Sequence, residues 1–181
     1  MVALRSLRMD AARVLRDLES SGFRDLAGTR ASARIPVSRS LVNRVVADAL
    51  RGTSAPIRQV DVQPRAGDRF DVTITVTWPF VPPLTVAVAV ERQPRFPELP
   101  ILVFRWSLLG PVGAIASRFV ASLNRLPPGV RLDGDRLLID IPTVVRGRPA
   151  AEMVLPFVTA LELHTADDAV VIVGTVDVPA D

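Results

Sequence analysis

From Val72 to Val90 the chain runs nineteen residues without a charge, and apolar side chains take every second position on both sides of a proline-rich break. Phe70, Val72, Ile74, Val76 and Trp78 alternate with Asp71, Thr73, Thr75 and Thr77. After Pro79-Phe80-Val81-Pro82-Pro83, Leu84, Val86, Val88 and Val90 alternate with Thr85, Ala87, Ala89 and Glu91. A stretch of this length could cross a bilayer as a helix. Its four threonines, three prolines and β-branched content exclude that, because a period of two belongs to strands. The pattern predicts a hairpin-like strand pair with one greasy face and one Thr/Ala face. No other segment reads as transmembrane.

The same period returns at Val60 and Val62, at Val130–Leu132 and Arg136–Ile141 around Asp133-Gly134-Asp135, and at Phe157–His164 and Val170–Val178 around Ala166-Asp167-Asp168. Ile101 to Trp106 is apolar on both faces, so something must cover each. Three segments follow helical spacing instead. Residues 3–20 carry a stripe of Leu4, Leu7, Ala11, Val14 and Leu18. Residues 38–50 start at Ser38, a natural N-cap, and present Leu41, Val42, Val45, Val46, Ala49 and Leu50. Residues 108–125 carry a broad apolar stripe that includes Leu108, Val112, Ile115, Phe119 and Leu123. Residues 142–156, with three prolines, read as a loop or short helical turn. About eight mostly sequential strands and three helices predict an α+β domain with an antiparallel sheet. The expected organisation is an amphipathic N-terminal helix over 1–22, a linker over 23–34 and a single domain over 35–181.

The chemical inventory is narrow. The chain has one histidine, His164, and no cysteine, lysine or tyrosine. Nucleophilic catalysis, imine chemistry and thiolate or imidazole metal sites draw on those side chains. There is no phosphate-binding loop: Gly110-Pro111-Val112-Gly113 lacks the lysine and the glycine spacing. There is no G-x-S-x-G elbow either. His164 sits beside Glu162 and Asp167 at a strand end, and a partly exposed structural histidine is the simplest account of it. Asp133 and Asp135 are explained by the turn at Gly134, while Asp140 is free to pair with an arginine. The expectation is a non-enzyme with no cofactor and no metal.

Formal net charge is +3, but its distribution is uneven. Residues 1–51 hold ten arginines against five acids, and residues 159–181 hold five acids and no arginine. With only two Trp and seven Phe, and no basic run interleaved with them, nucleic acid is excluded as a partner. The basic end suits an acidic partner or transient contact with an anionic membrane surface. The stripe on helix 3–20 suits a homodimer seam or a protein partner. Arg5, Arg8, Asp10, Arg13, Arg16 and Asp17 interrupt the apolar residues of the N-terminus, which predicts a cytoplasmic location.

Nearly half the residues are apolar, and the two-sided strand 101–106 adds to a surplus of greasy surface. A sheet wrapped around helix 108–125 either closes into an ordinary core or leaves a slot for a lipid or other hydrophobic molecule. The expected lining is Trp78, Val86, Val88, Phe104, Trp106, Ile115 and Phe119. The alternative is an assembly module with a closed core that recruits its partner through the N-terminal helix.

Ile35-Pro36-Val37-Ser38-Arg39-Ser40-Leu41-Val42-Asn43 leads into a helix and then alternating strands. A long apolar helix follows, and Leu126-Pro127-Pro128-Gly129-Val130-Arg131-Leu132-Asp133-Gly134-Asp135-Arg136 leads into a strand. Over roughly residues 33–178 this order resembles bacterial members of the tubular lipid-binding (TULIP) superfamily. The resemblance implies a curved antiparallel sheet wrapped around a long helix, with an apolar groove for lipid and no catalytic residue.

Overall fold

The computed structural model describes residues 27–51, 56–108 and 126–180. Among these, β1 (Arg30–Ser38) leads directly into α1 (Arg39–Leu50). There follow β2 (Ile57–Arg65), β3 (Arg69–Val76), β4 (Leu84–Arg92), β5 (Ile101–Leu108), β6 (Val130–Asp133) and β7 (Arg136–Asp140). Two short helices, α2 (Ile141–Val145) and α3 (Pro149–Val154), and a 3₁₀ turn at Leu155–Phe157 precede β8 (Val158–Ala166) and β9 (Ala169–Asp177). Every strand pair is antiparallel. β2-β3-β4-β5-β7-β6 form a six-stranded sheet and β1-β9-β8 a three-stranded one.

The α+β, antiparallel character expected from alternation is what the chain adopts. The single sheet of about eight strands is corrected to two sheets with nine strands among the described residues. The extra strand is β1. It takes up part of the segment expected to be a linker, since residues 30–38 pair along their whole length with β9. Its Arg30-Ala31-Ser32-Ala33-Arg34 half has no bulky β-former, and β1 lies at a sheet edge, so no local signal marks it. Leu108 is the last residue of β5 and not the first of a helix. The rest of the expected helix 108–125, including Ile115 and Phe119, lies outside the described residues. So does helix 3–20 with Leu4, Leu7, Ala11, Val14 and Leu18, and no wrapping of the sheet around either is described.

α1 begins as its sequence predicts: the Ser38 hydroxyl accepts from the Leu41 N–H. The helix rests on β2 through Asn43. The Asn43 amide donates to the Val62 carbonyl at 2.9 Å and accepts the Val62 N–H at 2.7 Å. The main core joins both sheets and α1. Val62, Phe70, Leu102, Phe104 and Val170 are buried, with Val42, Val46, Val37 and Ile172 packed around them. Phe70 and Phe104 meet edge to face at 6.0 Å. Val103, on the opposite face of β5, is also buried, at 3% exposure, so the middle of the two-sided strand is covered on both faces. A smaller cluster of Val76 and Leu84, with Ile57, Ile74 and Val81, closes the end of the sheet near the β3–β4 connection.

Candidate functional site

The alternation that builds the six-stranded sheet also turns one of its faces into a continuous apolar wall. Antiparallel register sets Phe70 against Val88, Val72 against Val86 and Ile74 against Leu84. One strand further on, Val88 faces Trp106, and Phe104 faces Leu137. Opposite this wall stand Val42, Val45 and Val46 of α1, Val37 of β1, Leu163 of β8, and Val170 and Ile172 of β9. Between them lies a cavity of about 680 Å³, to which Val62, Leu126, Leu132 and Ile139 also contribute. That volume falls within the range of small-molecule sites, roughly 300–1,000 Å³. Val45 is 58% exposed, so one side of the lining is in reach of solvent.

Every described lining side chain is Val, Leu, Ile, Phe or Trp. The only side-chain hydrogen-bonding group among them is the Trp106 indole N–H, which is buried without a partner. Among the described residues no acid, base or nucleophile lines the cavity, so this part of the lining can solvate hydrocarbon and offers no group for proton transfer. A guest about as long as the wall is wide meets apolar contacts throughout.

Of the residues expected to line the site, Val86, Val88, Phe104 and Trp106 are brought together on this wall. Trp78 is not. β3 ends at Val76, and Trp78 lies in the β3–β4 connection with 39% of its surface exposed. Prolines at 79, 82 and 83 lack the N–H a ladder needs, and pairing of β3 with β4 stops at Ile74–Leu84. The sequence reading missed the lining contributed by the three-stranded sheet and α1. Ile172 and Leu163 show the right alternation, but the pairing that brings them opposite β3 and β4 is long-range. Val72 and Ile74 share the parity of Val86 and were open to inference from that alone.

Charged groups cluster elsewhere. On the opposite face of the six-stranded sheet, Glu91 holds Arg105 at 2.9 Å and Arg136 at 2.8 Å. Desolvation pushes the Glu91 carboxyl up, but the Arg136 hydrogen bond and the two guanidinium charges outweigh it and leave the group below its ordinary value. Arg136 is raised in turn, mainly by its hydrogen bond to Glu91. At the end of the molecule formed by the β2–β3 and β8–β9 turns, His164 contacts Glu162 at 3.0 Å through Nε2 and Asp68 at 3.3 Å through Nδ1. Hydrogen bonding to Glu162, then to Asp68, raises the imidazole above its ordinary value. Asp68, not Asp167, is thus the second acidic neighbour. Asp167 instead accepts from the Ala66 N–H, and Asp140 caps α2 by accepting from Thr143 N–H instead of pairing with an arginine. Among the described residues no group of three His, Asp or Glu side chains has metal-binding geometry, and no described helix is long and apolar enough to cross a membrane. Set against protein-family models, curated proteins and solved structures, the chain matches none.

Proposed function

We propose that this protein binds a lipid or another hydrophobic molecule in the apolar cavity between the inner face of the six-stranded sheet and the layer of α1 and the three-stranded sheet, without catalysing a reaction on it. One observation carries the reading: about 680 Å³ of space whose twenty described lining residues are all apolar. A core closed for stability alone is packed like an organic crystal and leaves few voids larger than a water molecule. Each methylene moved from water into such a lining gains about 0.8 kcal/mol, so an acyl chain binds well there with no charged anchor. The sequence resemblance to TULIP proteins agrees with this assignment. Native mass spectrometry of the purified chain after incubation with a mixed lipid extract tests it. The expected result is a mass increment of one lipid per chain, with a change in the emission of Trp106. Recovery of apo protein only, with unchanged tryptophan emission, would remove the proposal.

The second reading is an assembly module. Ile35, Leu41 and Val45 are large apolar side chains at 54%, 45% and 58% exposure, on the edge strand β1 and on α1, and such a patch suits a second copy or a protein partner. A monomeric mass across the concentration range used for lipid binding would count against it.

A further inference from the structure

The end of the six-stranded sheet where β3 gives way to β4 carries no ordinary turn. Hairpin tips that face water favour Gly, Asn, Asp and Ser. Here the tip is Thr77-Trp78-Pro79-Phe80-Val81-Pro82-Pro83. Phe80 is 103% exposed and Trp78 39% exposed. Phe80 also sits at φ +66°, a backbone region that bulky side chains rarely enter. Prolines on both sides stiffen the connection, and Val81 turns back to pack on Val76 and Leu84, which fastens its base. The fold therefore presents one aromatic ring fully in water, with a second beside it, on a stiff support.

The foot of this tip carries an arginine. Thr77 N–H donates to the Pro56 carbonyl at 2.9 Å, and Ile57 is the register partner of Val76, so the start of β2 lies at the foot of the connection. Arg58, exposed in that part of β2, is its cation, and residues 72–90 carry no charge, whereas Arg51 is tied to Asp48 at 3.1 Å. The acids gather at the other end of the sheet, where Asp61, Asp68, Asp71, Asp167 and Asp168 surround the β2–β3 and β8–β9 turns. An uncharged aromatic tip with one arginine at its foot suits the interface of an anionic bilayer, where aromatic rings seat at headgroup depth and the arginine adds attraction.

We propose that the Trp78–Pro83 connection is a membrane-docking tip that seats its aromatic rings in the interface of an anionic lipid bilayer. The proposal is independent of the cavity, because docking at the tip requires no guest inside. It is tested by co-sedimentation of the full chain with vesicles of phosphatidylcholine, with and without phosphatidylglycerol. The expected result is binding that is stronger with phosphatidylglycerol and weaker as salt rises. Trp78→Gln combined with Phe80→Asn (asparagine tolerates the positive φ) should lower the partition coefficient about tenfold or more, the scale of losing a buried aromatic ring, with the circular dichroism spectrum unchanged. Arg58→Gln should weaken the phosphatidylglycerol preference. Val86→Phe, which fills the cavity, should leave vesicle binding intact, so failure of the tip and failure of the cavity are told apart. Wild-type protein that stays in the supernatant with both vesicles, or a tip variant that sediments as well as wild type, overturns the proposal. So does a dimer that the tip substitutions dissolve in the absence of any vesicle binding.

Discussion

Two side-chain amides do the work of missing strands. Asn43 gives Val62, on the edge strand β2, both an acceptor and a donor. Gln93 does the same for Leu163 on the edge strand β8, donating to its carbonyl at 2.7 Å and accepting its N–H at 3.0 Å. An amide copies the hydrogen-bonding pattern of a peptide group, so each covers one residue of an edge that would otherwise invite another chain. Val62 is only 8% exposed, and its backbone groups have little water to fall back on. Asn43→Ala should therefore cost about 2 kcal/mol, the scale of orphaning a buried donor and acceptor, read as a lower urea midpoint at unchanged slope. A loss below about 0.5 kcal/mol, well under that scale, would mean water replaces the amide at Val62. The single histidine supplies a pH dependence. Its folded-state value is raised above 6.5 by Glu162 and then Asp68. The stability it contributes is present in full well below pH 6.5 and is lost as pH climbs through the raised value. His164→Gln should accordingly lower the melting temperature more at pH 5.5 than at pH 8.5; an equal loss at both would assign the contribution to packing alone.

At the scale of elements, a side-chain pattern announces an element only where one face of it is buried. Every strand from β2 to β9 has a buried or half-buried face; alternation located seven of them and the two-sided apolar run Ile101–Trp106 located β5, within a residue or two at most ends. β1 is exposed along eight of its nine residues. Its pairing with β9 joins Arg30 to Asp177 and Ser32 to Thr175, whose hydroxyls lie 3.1 Å apart across nearly the whole chain. Nothing within a window of ten residues carries that information, which is why the second sheet and its share of the cavity lining stayed hidden. Trp78 shows the converse limit: its parity continues the greasy face of β3, but the prolines beyond it end the ladder first, and parity has meaning only while the ladder lasts. Turn chemistry was more legible at Asp133-Gly134-Asp135, where Gly134 takes φ +59° between β6 and β7. Pro128 and Gly129 occupy the centre of a turn closed by Val130 N–H on the Pro127 carbonyl. Gly129 takes φ +84°, and a Cβ there would come within 2.9 Å of the Thr143 Cβ.

At the scale of the whole molecule, the two ends of the six-stranded sheet differ in chemistry. One is tied by hydrogen bonds between turns: Thr165 N–H on Asp68 at 2.9 Å, Arg69 N–H on the Thr165 hydroxyl at 2.9 Å, Arg39 N–H on the Asp168 carbonyl at 3.1 Å. The other ends in the uncharged tip at Trp78 and Phe80. The cavity wall runs between them, from Phe70 and Val88 towards Ile74 and Leu84. Val86 stands in the middle of that wall, paired with Val72, and its replacement by phenylalanine makes the sign of a stability change diagnostic. If the space is a true void, the larger ring enters it, loses no contact and removes apolar surface from an unfilled interior. Such cavity-filling changes commonly add about 0.5–2 kcal/mol. If instead the interior closes tightly in solution, the ring has nowhere to go, and overpacking costs about 1–3 kcal/mol. A bound fatty acid probe such as parinaric acid reads the other half of the argument. The expected outcome for Val86→Phe is a raised melting temperature without ligand, together with probe affinity lowered about tenfold, because the ring occupies space the acyl chain needs. A lowered melting temperature with unaltered probe binding would show that the space in the sheet interior is not where hydrophobic ligands go.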